Sequence, residues 1–174
     1  MYFGVKGEEN IFGQKPVENL YADGGVVNRN PSDFGGTWAF VATDENDELL
    51  FSKSGFYQAP IGKTTNNHTE LVAVLEALES MPDGWNGTLV SDSEITLGRV
   101  SKGWALKNVP SELVVRLRNV LQRLGKIKVK HVDGHPSKAQ LASGIGKRGN
   151  PVSKWNVEAD RLCNVEVAKV KGKV

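Results

Sequence analysis

Apolar positions fall in short strand-like runs over the first third of the chain and switch to helical spacing after residue 66. Residues 19–28, 37–42 and 48–58 read as three strands, the second rich in β-branched and aromatic residues and the third offering Leu50, Phe51 and Phe56 to a core. Short polar turns between them make an antiparallel meander. Leu71, Val74, Leu75 and Leu78 then predict a helix over 69–81 with Asn67 as its cap, stopped by Pro82-Asp83-Gly84. Residues 88–90 predict a short strand ending in Ser91-Asp92-Ser93, followed by a short helix over 94–100.

Asn108 and Pro110 open a further helix whose stripe is Leu113, Leu117, Val120, Leu121 and Leu124, with Arg116, Arg118 and Arg123 turned to solvent. Residues 127–132 give the last strand. Ser137 to Trp155 carries Lys138, Lys147, Arg148 and Lys154 among glycines and reads as a mobile loop over an anionic ligand. Ser153 or Asn156 caps a final helix over 157–169, with Cys163, Val167 and Val170 toward the core. Residues 1–18 are polar and unperiodic, an N-terminal arm or short edge segment ahead of a single domain at 19–174. Strands alternating with helices after a meander imply an α/β fold, a mixed five-stranded sheet flanked by helices.

At 174 residues and 19.0 kDa, with 39% hydrophobic and 24% charged residues, the chain has the length and composition of one soluble domain. No apolar stretch reaches bilayer length and the first residues lack the order of an export signal, so a cytoplasmic protein with no membrane contact is expected. The single Cys163 excludes an internal disulfide and a thiolate metal site. The net charge of +2 conceals a division: residues 1–94 hold 15 acidic and 5 basic side chains, whereas residues 95–156 hold 13 basic ones against Glu112 and Asp133. The second half is a candidate surface for a polyanion such as nucleic acid, or else a solvated basic face.

Four carboxylates occupy comparable places. Asp23 lies in an apolar strand, although the glycines after it read equally as a turn. Glu70 falls in the first turn of the first predicted helix, where the helix dipole alone would favour it. Asp92 ends the fourth strand, and Asp160 lies near the start of the last helix. If the first and fourth strands are neighbours, these groups converge. Four carboxylates in one pocket cannot all stay ionised without cations, and hard divalent ions with oxygen ligands relieve the repulsion. The absence of histidine pairs and cysteine clusters points to magnesium or manganese rather than zinc. Two such ions would activate a water and stabilise a leaving oxygen.

At these residues the chain resembles the type 1 ribonucleases H. Tyr21-Ala22-Asp23-Gly24-Gly25, Thr64 to Leu71, Ser91-Asp92-Ser93, Asp133-Gly134-His135-Pro136 and Asn156 to Leu162 are similar to the family's five motifs, in family order. The resemblance covers roughly residues 19–170 and implies a ribonuclease H-like fold and hydrolysis of the RNA strand of RNA–DNA hybrids, leaving a 5′-phosphate and a 3′-hydroxyl. It implies Asp23, Glu70, Asp92 and Asp160 as ligands of two Mg²⁺, with Mn²⁺ as the alternative, Asp23 bridging the ions and His135 assisting water positioning or product departure.

Substrate contacts are expected from Asn66 and Asn67, which match residues near the hybrid's minor groove, where a ribose 2′-hydroxyl separates RNA from DNA. Gly24, Asn28, Ser93, Trp104, Lys147 and Arg148 are further candidates, whereas Gln140 has no matching position. Two departures stand out. The family's long basic protrusion shrinks to about Lys102–Lys107, where Trp104 takes its place, and the 137–155 connection is longer than common, as in phage-type members. A monomer with no obligate protein partner is expected. A DNA nuclease, resolvase or integrase-like core of the same superfold, or a noncatalytic hybrid-binding domain, is the alternative.

Overall fold

The computed structural model describes residues 15–172. Five strands form one sheet in the order β3-β2-β1-β4-β5: β1 (Asn19–Val26), β2 (Gly36–Thr43), β3 (Leu49–Tyr57), β4 (Thr88–Ser91) and β5 (Lys128–His131). The meander pairs antiparallel, with Asp23 opposite Ala39, while β1 pairs parallel with β4 and β4 with β5. The first and fourth strands are therefore neighbours, which is the condition for the carboxylates to converge.

Side chains alternate across β1, so Leu20 and Ala22 face one core and Tyr21 faces another. Helix α1 (Asn66–Glu79) covers the first face together with α2 (Glu94–Ser101) and α3 (Ser111–Arg123), packing Leu71, Leu75 and Leu78 against Phe40 and Leu89. Helix α5 (Lys154–Lys171) covers the other face over β1, β2 and β3, where Ala159 meets Tyr21 and Val41. The last described residues of the anticipated arm join the first core: Val17 is fully buried and its carbonyl accepts the Trp85 indole N–H at 2.7 Å. Residues 1–14 lie outside the described part.

Several expectations change. Helix α1 begins at Asn66 under a Thr65 cap rather than under Asn67, because Thr65 is extended and its hydroxyl accepts the His68 N–H. Helix α5 starts at Lys154 under Ser153, leaving Asn156 buried inside the first turn. The segment read as a mobile loop holds a short helix, α4 (Lys138–Ser143), closed by a Ser137–Gln140 capping box and followed by an antiparallel bridge between Ile145 and Pro151.

Phe56 is 45% exposed, whereas Leu50 and Phe51 do pack against the core. Two of the arginines expected in free solvent are engaged. Arg116 pairs with Glu76 and Glu79, and Arg123 donates to the Met81 carbonyl and to Asp83 beyond the end of α1. Among the described residues no helix is long and apolar enough to cross a membrane.

Candidate active site

The site forms where the C-terminal half of β1, the end of β4 and the buried sides of α1 and α5 meet. Asp23 points from β1 toward α5, 4% exposed. Behind it, Cys163 donates its Sγ–H to the Asp23 carbonyl at 3.2 Å and accepts the Thr37 hydroxyl on its own carbonyl at 3.0 Å. Glu70 arrives from α1 because Gly24 has no side chain: a Cβ there would lie 2.5 Å from the Glu70 backbone nitrogen. The room beside Gly24 is thus filled by helix backbone rather than left open for substrate. Asp92 follows β4 directly, and Gly134 packs against it, since a Cβ on Gly134 would meet its Oδ2 at 2.4 Å.

One carboxylate oxygen from each of Asp23, Glu70 and Asp92 lies within 4.8 Å of the others. Asp160 completes the set from α5, close enough to act on both Asp23 and Asp92. With their helices beginning at Asn66 and Lys154, Glu70 sits about one turn and Asp160 nearly two turns inside rather than at the helix starts. The dipole account of Glu70 therefore falls away, and what remains is a buried charge among other charges.

Burial, followed by repulsion from Asp92 and Asp160, holds the Asp23 carboxyl well above the ordinary carboxylate range. Burial and then Asp23 and Asp92 do the same to Glu70, with the Gly24 backbone offsetting part of the cost. Asp92 is raised by burial, and less so because the Asn156 amide and His135 oppose it. Glu70 Oε2 is buried with no hydrogen-bond partner. An unpartnered carboxylate oxygen, all-oxygen donors and three converging charges fit a hard divalent cation, which would replace the missing solvation.

His135 adopts a left-handed backbone (φ 52°) after Gly134, its side chain mostly exposed and its Nδ1 3.7 Å from Asp160 Oδ2. Lys147, Arg148, His135 and Asp92 share a cavity of about 160 Å³. A second groove, of about 540 Å³, is lined by Asn66, Asn67, Asn30, Arg99, Lys107 and Asn108 among others. It is Asn30 that reaches this groove, and its Oδ1 accepts the Asn66 N–H at 3.1 Å, whereas Asn28 occupies the left-handed turn before it. The Ser93 hydroxyl caps α2 by accepting the Thr96 N–H and pairs with the Thr96 hydroxyl, so it is already engaged within the fold. The Trp104 ring packs on Gly98 with the Lys102 ammonium 5.6 Å from its centre, 40% exposed.

Three residues of these surfaces make contacts that the sequence alone does not show. Arg99 lines the larger groove with one buried guanidinium nitrogen lacking a partner. Asn156 is buried against Asp92. Asp133 binds the backbone of the basic loop through the N–H groups of Arg148 and Asn150.

Residues 15–167 match the RNase H family model. A ribonuclease H of Rhodopirellula baltica is 32% identical over 135 residues, 70% of this chain and 80% of that protein. A ribonuclease HI of Campylobacter jejuni is 32% identical over 92 residues, 51% of this chain and 57% of that one. A ribonuclease H of Syntrophus aciditrophicus is 33% identical over 86 residues, 49% of this chain and 44% of that one. The chain thus spans about half the length of several curated relatives it matches. Among solved structures, the N-terminal RNase H domain of a Mycobacterium tuberculosis protein superposes with a TM-score of 0.64 at 20% identity, covering 90% of this chain and 98% of that one. LC11-RNase H1 in complex with an RNA/DNA hybrid superposes with a TM-score of 0.60 at 23% identity, covering 88% and 98%. Both share the fold.

Proposed function

Because this chain belongs to the ribonuclease H family, we propose that it is an endonuclease that hydrolyses the RNA strand of RNA–DNA hybrids. The observation that carries this reading is the convergence of Asp23, Glu70 and Asp92 with a buried Glu70 oxygen that has no partner. In the reaction a water oxygen bonds to phosphorus, the bond from phosphorus to the 3′ oxygen breaks, and that oxygen takes up a proton. The products are a 5′-phosphate and a 3′-hydroxyl.

Asp23, Glu70, Asp92 and Asp160 would hold two divalent ions, magnesium or in its place manganese, whose chemistry is to activate water and neutralise charge on the leaving oxygen. The protein's own groups set the rest. Asp23, Glu70 and Asp92 each bring one carboxylate oxygen within reach of the other two, so these three would hold an ion together. Asn156, buried beside Asp92, orients that carboxylate. His135, exposed at the mouth and close to Asp160, takes or gives a proton as the product leaves.

Asn66 and Asn67 present amides to the larger groove because the cap falls on Thr65 and leaves both side chains exposed. Those amides read a ribose 2′-hydroxyl, with Arg99 and Lys107 attracting backbone phosphate from the same groove. Residues 19–174 act as one catalytic domain, as a cytoplasmic monomer. The deciding assay compares matched RNA–DNA, RNA–RNA, DNA–DNA and branched DNA substrates with magnesium and with manganese. Cleavage confined to the RNA of the hybrid is expected. Preferential cleavage of branched DNA would overturn the reading in favour of a resolvase.

A further inference from the structure

Asp133 is 4% exposed, lies outside the carboxylate cluster, and has no part in the reaction described above. Its Oδ2 accepts the backbone N–H groups of Arg148 (2.8 Å) and Asn150 (3.2 Å), and its Oδ1 accepts the Asn150 side-chain amide (2.9 Å). Its own N–H donates to the Pro151 carbonyl at 2.9 Å. Gly146 lies directly on it, for a Cβ there would come 2.4 Å from the Asp133 Cβ. Bonds from the Gly146 N–H to the Asn150 carbonyl and from the Gly149 N–H to the Gly146 carbonyl, with the Ile145–Pro151 bridge, close residues 144–151 into a compact hairpin.

The bonds from Asp133 go to backbone, so the side chains of the hairpin's two cations stay available. Neither Lys147 nor Arg148 has a carboxylate partner among the described residues, in contrast to Arg116, Arg123 and Arg161. The next two residues after Asp133 are Gly134, packed on Asp92, and His135, beside Asp160. Three consecutive residues therefore fix the basic hairpin relative to two of the carboxylates. The cavity they share, about 160 Å³, is lined by these two cations together with Asp92 and His135.

We propose that Asp133 is a positioning residue whose carboxylate folds residues 144–151 so that Lys147 and Arg148 seat a phosphate of the RNA strand adjacent to the one being hydrolysed. This rests on the proposed hybrid nuclease activity, but its binding component does not need turnover.

The test measures hybrid affinity in chelator across a salt series, alongside steady-state cleavage with magnesium. The variants are Asp133→Ala, Asp133→Asn, Asn150→Ala, Lys147→Ala/Arg148→Ala, and the triple combination with Asp133→Ala. Affinity should fall about tenfold in Asp133→Ala and in the double variant, and the slope of log K against log salt should flatten by roughly 0.9 for each phosphate that is no longer neutralised. KM should rise in Asp133→Ala while kcat stays within about threefold. The triple variant should be no weaker than the double, because both remove the same seat. Asp133→Asn, which keeps an oxygen acceptor, should restore most of the affinity, and Asn150→Ala should show the same losses in weaker form if Asp133→Ala does not fold.

A lowered melting temperature with wild-type affinity and salt slope in Asp133→Ala or Asn150→Ala would reduce Asp133 to a structural role and overturn the proposal. So would losses that multiply in the triple variant, or a double variant that binds as wild type does. A wild-type protein that binds hybrid through Lys147 and Arg148 without cutting it would sink the nuclease reading and leave the seat standing.

Discussion

Gly24 and Glu70 touch backbone to backbone: a methyl group on Gly24 would lie 2.5 Å from the Glu70 nitrogen and equally close to the Thr69 carbonyl carbon. Neither of those atoms can rotate away. Gly24→Ala should therefore push α1 off β1, at about 1–3 kcal/mol for overpacking. It should also displace Glu70 from Asp23, so metal affinity should fall along with stability. Urea denaturation and magnesium titration check both effects, and a variant with normal magnesium affinity would show that the close approach does not set the carboxylate geometry.

Asp23→Asn should make the metal-free protein more stable while removing its activity. The wild-type carboxyl is forced above its ordinary range first by burial and then by Asp92 and Asp160, so a neutral amide relieves both. A gain of about 1 kcal/mol corresponds to a Tm higher by about 2–4 °C at this size. Loss of a metal ligand worth several kcal/mol should slow cleavage by about 10³-fold. Thermal melts with and without magnesium check the pairing, because the ion should stabilise the wild type far more than the variant.

His68 ties the start of α1 to the link before α3. Its Nδ1 accepts the Thr65 N–H at 3.2 Å, which leaves the proton on Nε2, 3.0 Å from the Asn108 carbonyl. His68→Gln should preserve the capping box but lose the link to Asn108, whereas His68→Ala should lose both and cost about 1 kcal/mol. Both variants should raise KM for hybrid, since Asn66, Asn67, Lys107 and Asn108 line one groove from the two segments that His68 joins. Equal KM values for the two variants and the wild type would show that the groove does not depend on this bridge.

Asp44 sets part of the acid limit of the fold. Burial alone would raise its carboxyl, but the N–H groups of Glu48 and Asn46, with Lys15 nearby, hold it below the ordinary value. A lowered native value means that Asp44 contributes stability above its unfolded value of about 3.9. That contribution is lost as pH falls through the native value. Asp44→Asn should be less stable than wild type at pH 6, and the gap should close in acid below about pH 4. Denaturation at several pH values reads this directly, and a gap that widens in acid would reverse the sign.

The meander, the four longer helices and the positions of the four carboxylates are legible because each leaves a mark in residue type, whereas the short α4 lies in a segment that reads as a loop. Charge in an apolar strand, a 3.6-residue apolar period and a proline stop are all local. The Thr65 cap was missed because His68 stands where a capping box usually carries Glu or Gln, so Asn67 drew the assignment. The hairpin around Asp133 was missed for a different reason. Its bonds come from the backbone N–H groups of Arg148 and Asn150, which every residue but proline owns, and they reach across 15 and 17 positions. Asn156 reads in the sequence as a cap and as the start of the last motif, and only the tertiary packing of α5 shows it beside Asp92.

The bond from Cys163 to the Asp23 carbonyl joins positions 140 residues apart. On a ribosome adding about 5–20 residues each second, roughly 7 to 28 seconds separate the appearance of the first of them from that of the second. For nearly all of that interval Asp23 is already synthesised but Asp160 is absent, so the emerging polypeptide holds at most three of its four acids. The set of four acids is therefore complete only once α5 has emerged and docked, and a polypeptide cut short before that helix lacks Asp160.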